Sequence, residues 1–458
     1  MNFIGIDIGT SSICGVVLDA RRGKLLASLT LPNNAWLPAR HPWERMQNPA
    51  GIVATALKIV DSLSGQVGNA AGIGVTGQMH GILYVDAHGR SVSPLFTWQD
   101  ERGGQVVKKS MTYADVLARL TGYTLAPGFG LVTHFYNLKN GRVPRATASL
   151  CTIADYVGMR LAHQRHPSID PTNAASLGIF DLRNLCFDAN MIGSARLRTG
   201  LLPRLVPTGT KIGATPAGIP VYAAPGDNQA SMLGSVRDVK RSLVVNIGTG
   251  GQISAWMPSY QRIHGLDLRP FPGGGYIAVG AALCGGKAYA LLERFFREVC
   301  LRFTGAAPKD LYAIMNKLDA AAAEPLSIDT RFSGTRRDPS IRGTIAGISM
   351  SNFTPGRLVD GFLRGMVEEL NAFYRLMPPK TRRQMRVLVG SGNGLRLNRR
   401  LCTVVEQVFG MRVNIPAHCE EAATGAALTA AVGAGCFRNY SEAGKIIKHR
   451  KSQNFPAI

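Results

Sequence analysis

Two short segments, half a chain apart, carry the same pattern. Near the start stands Ile6-Asp7-Ile8-Gly9-Thr10-Ser11-Ser12, and near the middle Val245-Asn246-Ile247-Gly248-Thr249-Gly250-Gly251. Each is an apolar strand running into Gly-Thr and small residues. After each, the chain returns to apolar and β-branched residues, Ile13 to Leu18 in one case and Gln252 to Trp256 in the other. This order reads as a β-hairpin whose turn is made of Gly, Thr and Ser. One such hairpin per half predicts two domains of the same architecture. The chain has 458 residues, too many for one ordinary core, which agrees with a duplicated plan. The boundary is expected near the polar connection Ser235-Val236-Arg237-Asp238-Val239-Lys240-Arg241, giving domains 1–235 and 236–458.

Composition narrows the class. Hydrophobic residues make up 45 % and charged residues 18 %, a globular balance with enough apolar surface for large cores. No apolar run reaches the roughly 20 residues of a membrane helix, and the stretch from Ala426 to Gly435 is short and rich in Ala and Gly. Met1-Asn2-Phe3-Ile4-Gly5-Ile6-Asp7 has no basic leader and puts an acid inside an apolar run, the mark of a buried first strand in a cytoplasmic protein. Eight cysteines form no Cys-x-x-Cys pair, which argues against a disulfide framework or a zinc site. The net charge of +23 is high, but the basic residues are dispersed over Arg21-Arg22, Arg336-Arg337, Arg382-Arg383, Arg399-Arg400 and Lys448-His449-Arg450-Lys451. No nucleic-acid motif accompanies them, so neither a nucleic acid nor a membrane is expected as partner.

Apolar strands alternate with helical patterns, the signature of α/β layers. Val75, Leu83 and Val85 sit in strand-like runs. Leu358, Phe362, Met366, Leu370 and Phe373 recur at helical spacing, as do Leu397, Leu401, Val404 and Val408, with Gly410 as the C-cap of the second pattern. These stripes are core.

Four motifs carry the chemistry. Phosphates need backbone N–H groups at close approach, which glycine permits, so the two Gly-Thr turns read as a pair of phosphate-binding turns. Asp7, at the strand end beside the first turn, is placed to hold Mg²⁺, which takes one or two carboxylates plus phosphate oxygens. Gly390-Ser391-Gly392-Asn393-Gly394 follows the strand Val387-Leu388-Val389 and opens the helix expected to hold Leu397 and Leu401. Such a turn can approach a ribose, a base edge or an anion. Pro225-Gly226-Asp227-Asn228-Gln229-Ala230 puts an acid after a strand and before a small-residue helix. Asp227 could accept a proton from a hydroxyl nucleophile or simply cap the helix, and the local sequence leaves both open. Finally, Gly77-Gln78-Met79-His80-Gly81 and Thr97-Trp98-Gln99-Asp100-Glu101-Arg102 gather planar polar groups and an aromatic, the residue types that read a sugar. Two formal matches are set aside. Gly72-Ile73-Gly74-Val75-Thr76-Gly77 has dinucleotide-loop spacing but no amphipathic helix after it, and Lys287 after Gly285-Gly286 lacks the rest of a Walker A loop.

Taken in this order, the motifs resemble the FGGY family of carbohydrate kinases, and the similarity runs from Ile4 to about Gly435. The resemblance implies an α/β fold of two actin/hexokinase-like (ribonuclease H-like) ATPase domains with an interdomain cleft. It implies ATP-dependent, Mg²⁺-assisted phosphorylation of a free sugar. Gly9, Thr10, Ser11 and Ser12 look like the first phosphate loop, and Gly248, Thr249 and Gly250 like the second. Gly390, Gly392 and Asn393 look like the adenosine motif. Asp227 looks like the catalytic aspartate that accepts the hydroxyl proton, sharing the metal with Asp7. Sugar contacts are implied for Gln78, Met79, His80, Trp98, Asp100, Arg102, Asp155, Asn173, Asp227 and Asn228. Val75 to Gly81, Thr97 to Asp100, Gly128-Phe129-Gly130, Ile153-Ala154-Asp155-Tyr156 and Asn173 to Ser176 are similar to the branch that acts on sedoheptulose. That branch favours Gln where this chain has Thr172, and the xylulose-directed branch usually has Asn where it has Gln99. The expected partners are a small sugar and ATP, in a monomer or homodimer.

Overall fold

The computed structural model describes residues 1–68, 70–108, 110–223, 225–319, 324–335 and 338–451, so the basic pair Arg336-Arg337 lies outside the described residues. The chain divides into two compact units. The first comprises Met1–Arg237, Arg269–Gly275 and His418–Ile447. The second comprises Asp238–Leu268, Tyr276–Ala417 and the residues from Lys448 onward.

The first unit is built on β1 (Asn2–Ile8), β2 (Ser12–Asp19), β3 (Lys24–Pro32), β4 (Gly72–Gly77), β5 (Lys211–Ala214) and β6 (Pro220–Ala223), in the order β5-β6-β4-β1-β2-β3. β1, β2 and β3 are antiparallel neighbours, whereas β1, β4 and β6 run parallel. The expected hairpin is there, with Ile8 paired to Ile13 across the Gly-Thr-Ser turn. Gly72 to Gly77, whose spacing mimics a dinucleotide loop, is strand β4 throughout.

Strand periodicity sorts β1 into two faces. Ile4, Ile6 and Ile8 pack with α1 (Pro49–Val67) and α2 (Ile153–Leu161) in one core. Phe3 belongs to the opposite core with α4 (Glu421–Gly433). Gly5 and Asp7 share that second face by alternation, and beside them lies α3 (Asp227–Ser235). Here the layers approach backbone to backbone. A Cβ on Gly5 would stand 1.8 Å from the Ala423 carbonyl oxygen, one on Gly74 2.1 Å from that of Ala426, and one on Gly425 1.9 Å from that of Ala230. Glycine and alanine on these surfaces thus draw α3, α4 and the ends of β1 and β4 into one tight layer.

The second unit repeats the plan. β7 (Ser242–Ile247), β8 (Gly251–Met257), β9 (Tyr276–Ala282), β10 (Val387–Ser391) and β11 (Val413–Pro416) stand in the order β9-β8-β7-β10-β11. The first three are antiparallel, and β7, β10 and β11 are parallel. This is the same order and sense as β3-β2-β1-β4-β6, so the sequence echo marks a structural repeat. Leu358, Phe362, Met366 and Leu370 of helix Pro355–Leu376 pack in its core, and Gly410 is a left-handed C-cap, both as expected. One expectation fails. Leu397 and Leu401 lie on separate helices, Asn393–Leu397 and Arg399–Phe409, because Asn398 leaves the helical region and caps the second by accepting from Leu401 N at 3.0 Å.

All eight cysteines are free. Among the described residues no helix is long and apolar enough to cross a membrane, and no group of three or more His, Cys, Asp or Glu stands together as a metal cluster.

Candidate active site

In the first unit the chemistry collects where β1, β4 and β6 end. Asp7 is the penultimate residue of β1, on the face that meets α3 and α4. Asp227 is the first residue of α3, whose N-cap is Gly226, so it is not the capping residue that its sequence position left open. Glu420 is the N-cap of α4, and its side chain makes no cap hydrogen bond. Lack of solvation pushes the Asp7 carboxyl up to about 7, and the charges of Asp227 and Glu420 push the same way. Lack of solvation also raises Asp227, to about 6, against the pull of the Asn228 N–H and the Arg269 guanidinium. Asp7 Oδ1 has no hydrogen-bond partner. The Arg269 guanidinium offsets only part of this crowding of acids, and a divalent cation would supply further positive charge. Magnesium needs only one or two carboxylates, its other ligands being water and phosphate oxygens, so Asp7 and Asp227 fit it without a three-ligand protein cluster.

The first Gly-Thr turn is braced from outside. Asn33 Nδ2 donates to Gly9 O at 2.9 Å and Gln47 Nε2 to Thr10 O at 2.8 Å. Ser11 and Ser12 are exposed. Trp98 Nε1 donates to Thr10 Oγ1 at 3.1 Å, and Gln78 Nε2 donates to Gln47 Oε1 at 3.0 Å. The indole is 46 % exposed, so an aromatic face beside the turn stays open to a ligand.

The Gln78-Met79-His80 segment meets the Asp227 segment directly, since a Cβ on Gly226 would lie 2.6 Å from Met79 Sδ. His80 holds a left-handed backbone at φ 73°. Its N–H donates to Ser176 Oγ at 3.0 Å, its Nδ1 lies 2.8 Å from Ser176 O, and its ring stacks on Phe129 at 4.8 Å. A carbonyl only accepts, so Nδ1 carries the hydrogen. Ser176 in turn donates to Asn173 O at 2.7 Å. Asn228 Oδ1 accepts from Arg269 Nη1 at 3.3 Å.

Three residues expected at the sugar are committed elsewhere. Asp100 and Arg102 are 0 % and 2 % exposed and form a buried ion pair at 2.6 Å. Asp100 Oδ2 also accepts from Arg45 N, Arg102 Nη1 donates to Asn137, and the guanidinium lies 3.9 Å from the Phe96 ring centroid. The pair braces the segment that presents Trp98 and offers no charged end to a ligand. Asp155 accepts from Thr152 N and Oγ1 at 3.2 and 2.6 Å, a reciprocal cap on α2. Its burial pushes it up to about 8.

In the second unit the other turn is held by a helix start. Gly286 N donates to Gly248 O at 2.7 Å, and Gly285 N and Lys287 N donate to Thr249 O at 3.1 Å. The Gly390 to Asn393 segment lies against the same turn. Asn246 Nδ2 donates to Ser391 Oγ at 2.9 Å, and a Cβ on Gly392, at φ 81°, would stand 2.7 Å from Ile247 O. Gly248, Thr249 and Gly250 are thus brought together with Gly390, Gly392 and Asn393.

Sequence reasoning missed Glu420, Asn33, Gln47, Thr76 and Phe129. Only Thr76 and Phe129 sat in quoted segments, neither singled out there. The others have no local signature, because their relevance comes from which strand end they pack against.

Comparison with known proteins agrees with this arrangement. The model of the FGGY family of carbohydrate kinases, N-terminal domain, matches residues 2–234, and that of the C-terminal domain matches residues 243–434. Sedoheptulokinase of Mus musculus is 28 % identical, covering 89 % of this chain and 92 % of its own, and that of Homo sapiens is 27 % identical, covering 93 % and 96 %. The solved structure of xylulose kinase from Rhodospirillum rubrum superposes with a TM-score of 0.83 at 22 % identity, covering 98 % of this chain and 94 % of its own. Two family domains matched across nearly the whole chain, on a duplicated fold shared with solved kinases, settle the kinship: this chain belongs to the FGGY family of carbohydrate kinases.

Proposed function

We propose that the chain transfers a phosphoryl group from ATP to the terminal hydroxyl of a free ketose, sedoheptulose, yielding sedoheptulose 7-phosphate. The observation that carries this reading is Asp227, an acid at the first position of α3, beside Asp7 and lifted to about 6. The ketose is supported by the similarity of the sugar segments to sedoheptulokinases and by the two relatives of that name.

An ordinary aspartate, with a pKa of about 3.9, is a weak base. Raised to about 6, Asp227 stands closer to working pH while still ionised at pH 7, the compromise that general-base catalysis favours. Asp227 orients the sugar hydroxyl and accepts its proton as the oxygen attacks the γ-phosphorus. The transition state is loose, so the proton leaves late and positioning counts most. Bound Mg²⁺ supplies charge neutralisation to the phosphates, with Asp7 and Asp227 as its protein anchors. Gly9, Thr10, Ser11 and Ser12 take the transferred phosphate. Gly248, Thr249 and Gly250 take the remaining phosphates, and Gly390, Gly392 and Asn393 the adenosine. Gln78, Met79, His80, Trp98, Asn173 and Asn228 read the sugar, while Asp100, Arg102 and Asp155 hold those readers in place.

The test is ADP release with ATP and Mg²⁺ against sedoheptulose, xylulose, ribulose, fructose and glycerol. Preferred turnover of sedoheptulose is expected. Preference for xylulose would keep the transfer chemistry and overturn the ketose. Silence across the panel with ATP still bound would overturn the transfer itself and favour a sugar sensor on this fold.

A further inference from the structure

The Asp227 segment is held by a chain of buried hydrogen bonds that none of its own residues supplies. Thr172 lies on the short helix Pro171–Ser176, 1 % exposed. Its Oγ1 is 2.9 Å from both oxygens of Asp170, and Gly226 N donates to that same Oγ1 at 2.9 Å. A hydroxyl has one hydrogen, and a carboxylate only accepts, so Thr172 must donate to Asp170 and present a lone pair to Gly226. Asp170 is itself 0 % exposed, with Thr208 Oγ1 donating to it at 2.7 Å and Asn173 N at 3.0 Å. On the other side, Thr76 Oγ1 of β4 donates to Pro225 O at 2.5 Å. The single peptide group that joins Pro225 to Gly226 is therefore clamped at both ends, by Thr76 at its carbonyl and by Thr172 at its N–H, and Asp170 fixes the sense of the second clamp.

We propose that Thr172, oriented by Asp170, is a positioning residue that sets the backbone from which Asp227 projects, and that it does not read the sugar. The inference rests on Asp227 being the catalytic base. Removing the acceptor strands a buried N–H, which the loop can relieve only by moving. A displacement near 1 Å at a reacting group costs about 100-fold in rate.

The experiment measures kcat and both KM values of the full chain with ATP, Mg²⁺ and the best ketose of the panel, for Thr172→Val, Thr172→Ser and Asp227→Asn. Thr172→Val keeps the shape and loses the acceptor. Its kcat should fall about 10- to 100-fold with both KM values within threefold, and Thr172→Ser should recover most of the turnover. If the valine protein does not fold, Thr172→Ala carries the same expectation. A rise in sugar KM with kcat intact would overturn the proposal in favour of a sugar contact, and so would full turnover of the valine variant or failure of serine to rescue. Near-normal turnover of Asp227→Asn would instead sink the base assignment, a separate result that leaves the Thr172 data to be read on their own.

Discussion

Replacing Asp7 by Asn should make the protein inactive and, without Mg²⁺ and ATP, more stable at alkaline pH. Asp7 is partly buried, and desolvation together with Asp227 and Glu420 lifts it from 3.8 to about 7. An acid with a raised folded-state pKa holds its proton in the folded chain where the unfolded chain has lost it. Its stabilising contribution is present below about pH 4 and disappears as pH rises through about 7. At about 1.4 kcal/mol per pH unit, the rise corresponds to a ceiling of about 4 kcal/mol. Water still reaches part of the carboxylate, which brings the expected value to about 2 kcal/mol. Asparagine carries no charge and suffers no such loss. Scanning calorimetry of both proteins from pH 4.5 to 8 should give matching transitions at the acid end. At pH 8 the variant should melt about 4–8 °C higher. Mg²⁺ with ATP should close the gap, because cation binding relieves the repulsion in the parent alone. A difference independent of pH, or an asparagine variant less stable at pH 8, would refute the electrostatic reasoning.

Asp227→Ala should lose about 10²–10⁴-fold in turnover and still bind ATP by calorimetry, and the parent's kcat/KM should climb through about pH 6 as that carboxyl ionises. Unchanged turnover would remove Asp227 from the reaction. Asp100→Asn strands the buried Arg102 guanidinium and should cost about 3–5 kcal/mol in stability, and any rise in sugar KM should accompany that loss as the segment bearing Trp98 loosens. A large KM change at unaltered stability would return the pair to the sugar site. Gly425→Ala places a Cβ 1.9 Å from the Ala230 carbonyl oxygen and should cost more than about 3 kcal/mol, read as a lowered melting temperature of the first unit. A neutral effect would mean that α3 and α4 can separate without penalty.

Much of the site was legible because its parts are local. A strand that ends in Gly-Thr must turn, and a turn of glycine and hydroxyls exposes N–H groups, so both Gly-Thr turns and the duplication could be read from short local segments. Gly226-Asp227 was legible as an acid between strand and helix, but not its position after the cap, which depends on where the helix begins. The helix break at Asn398 was hidden because the apolar spacing runs through it and the side-chain cap that decides it competes at a single residue.

Asp100 and Arg102 show the limit most plainly. Their residue types suit a sugar, and only packing shows each satisfied by the other, under Phe96 and against Asn137. Thr172 is the converse case, an ordinary helix residue whose hydroxyl meets Gly226 from 54 positions away. The sequence by itself determined the architecture, the two turns and the family, because hydrophobic period and turn chemistry act over neighbouring residues. Tertiary structure alone decided that α4, encoded after the second unit's strands, returns to the first and brings Glu420 to Asp7. Burial and electrostatic coupling depend on which strangers in sequence become neighbours in space, and no local pattern encodes that.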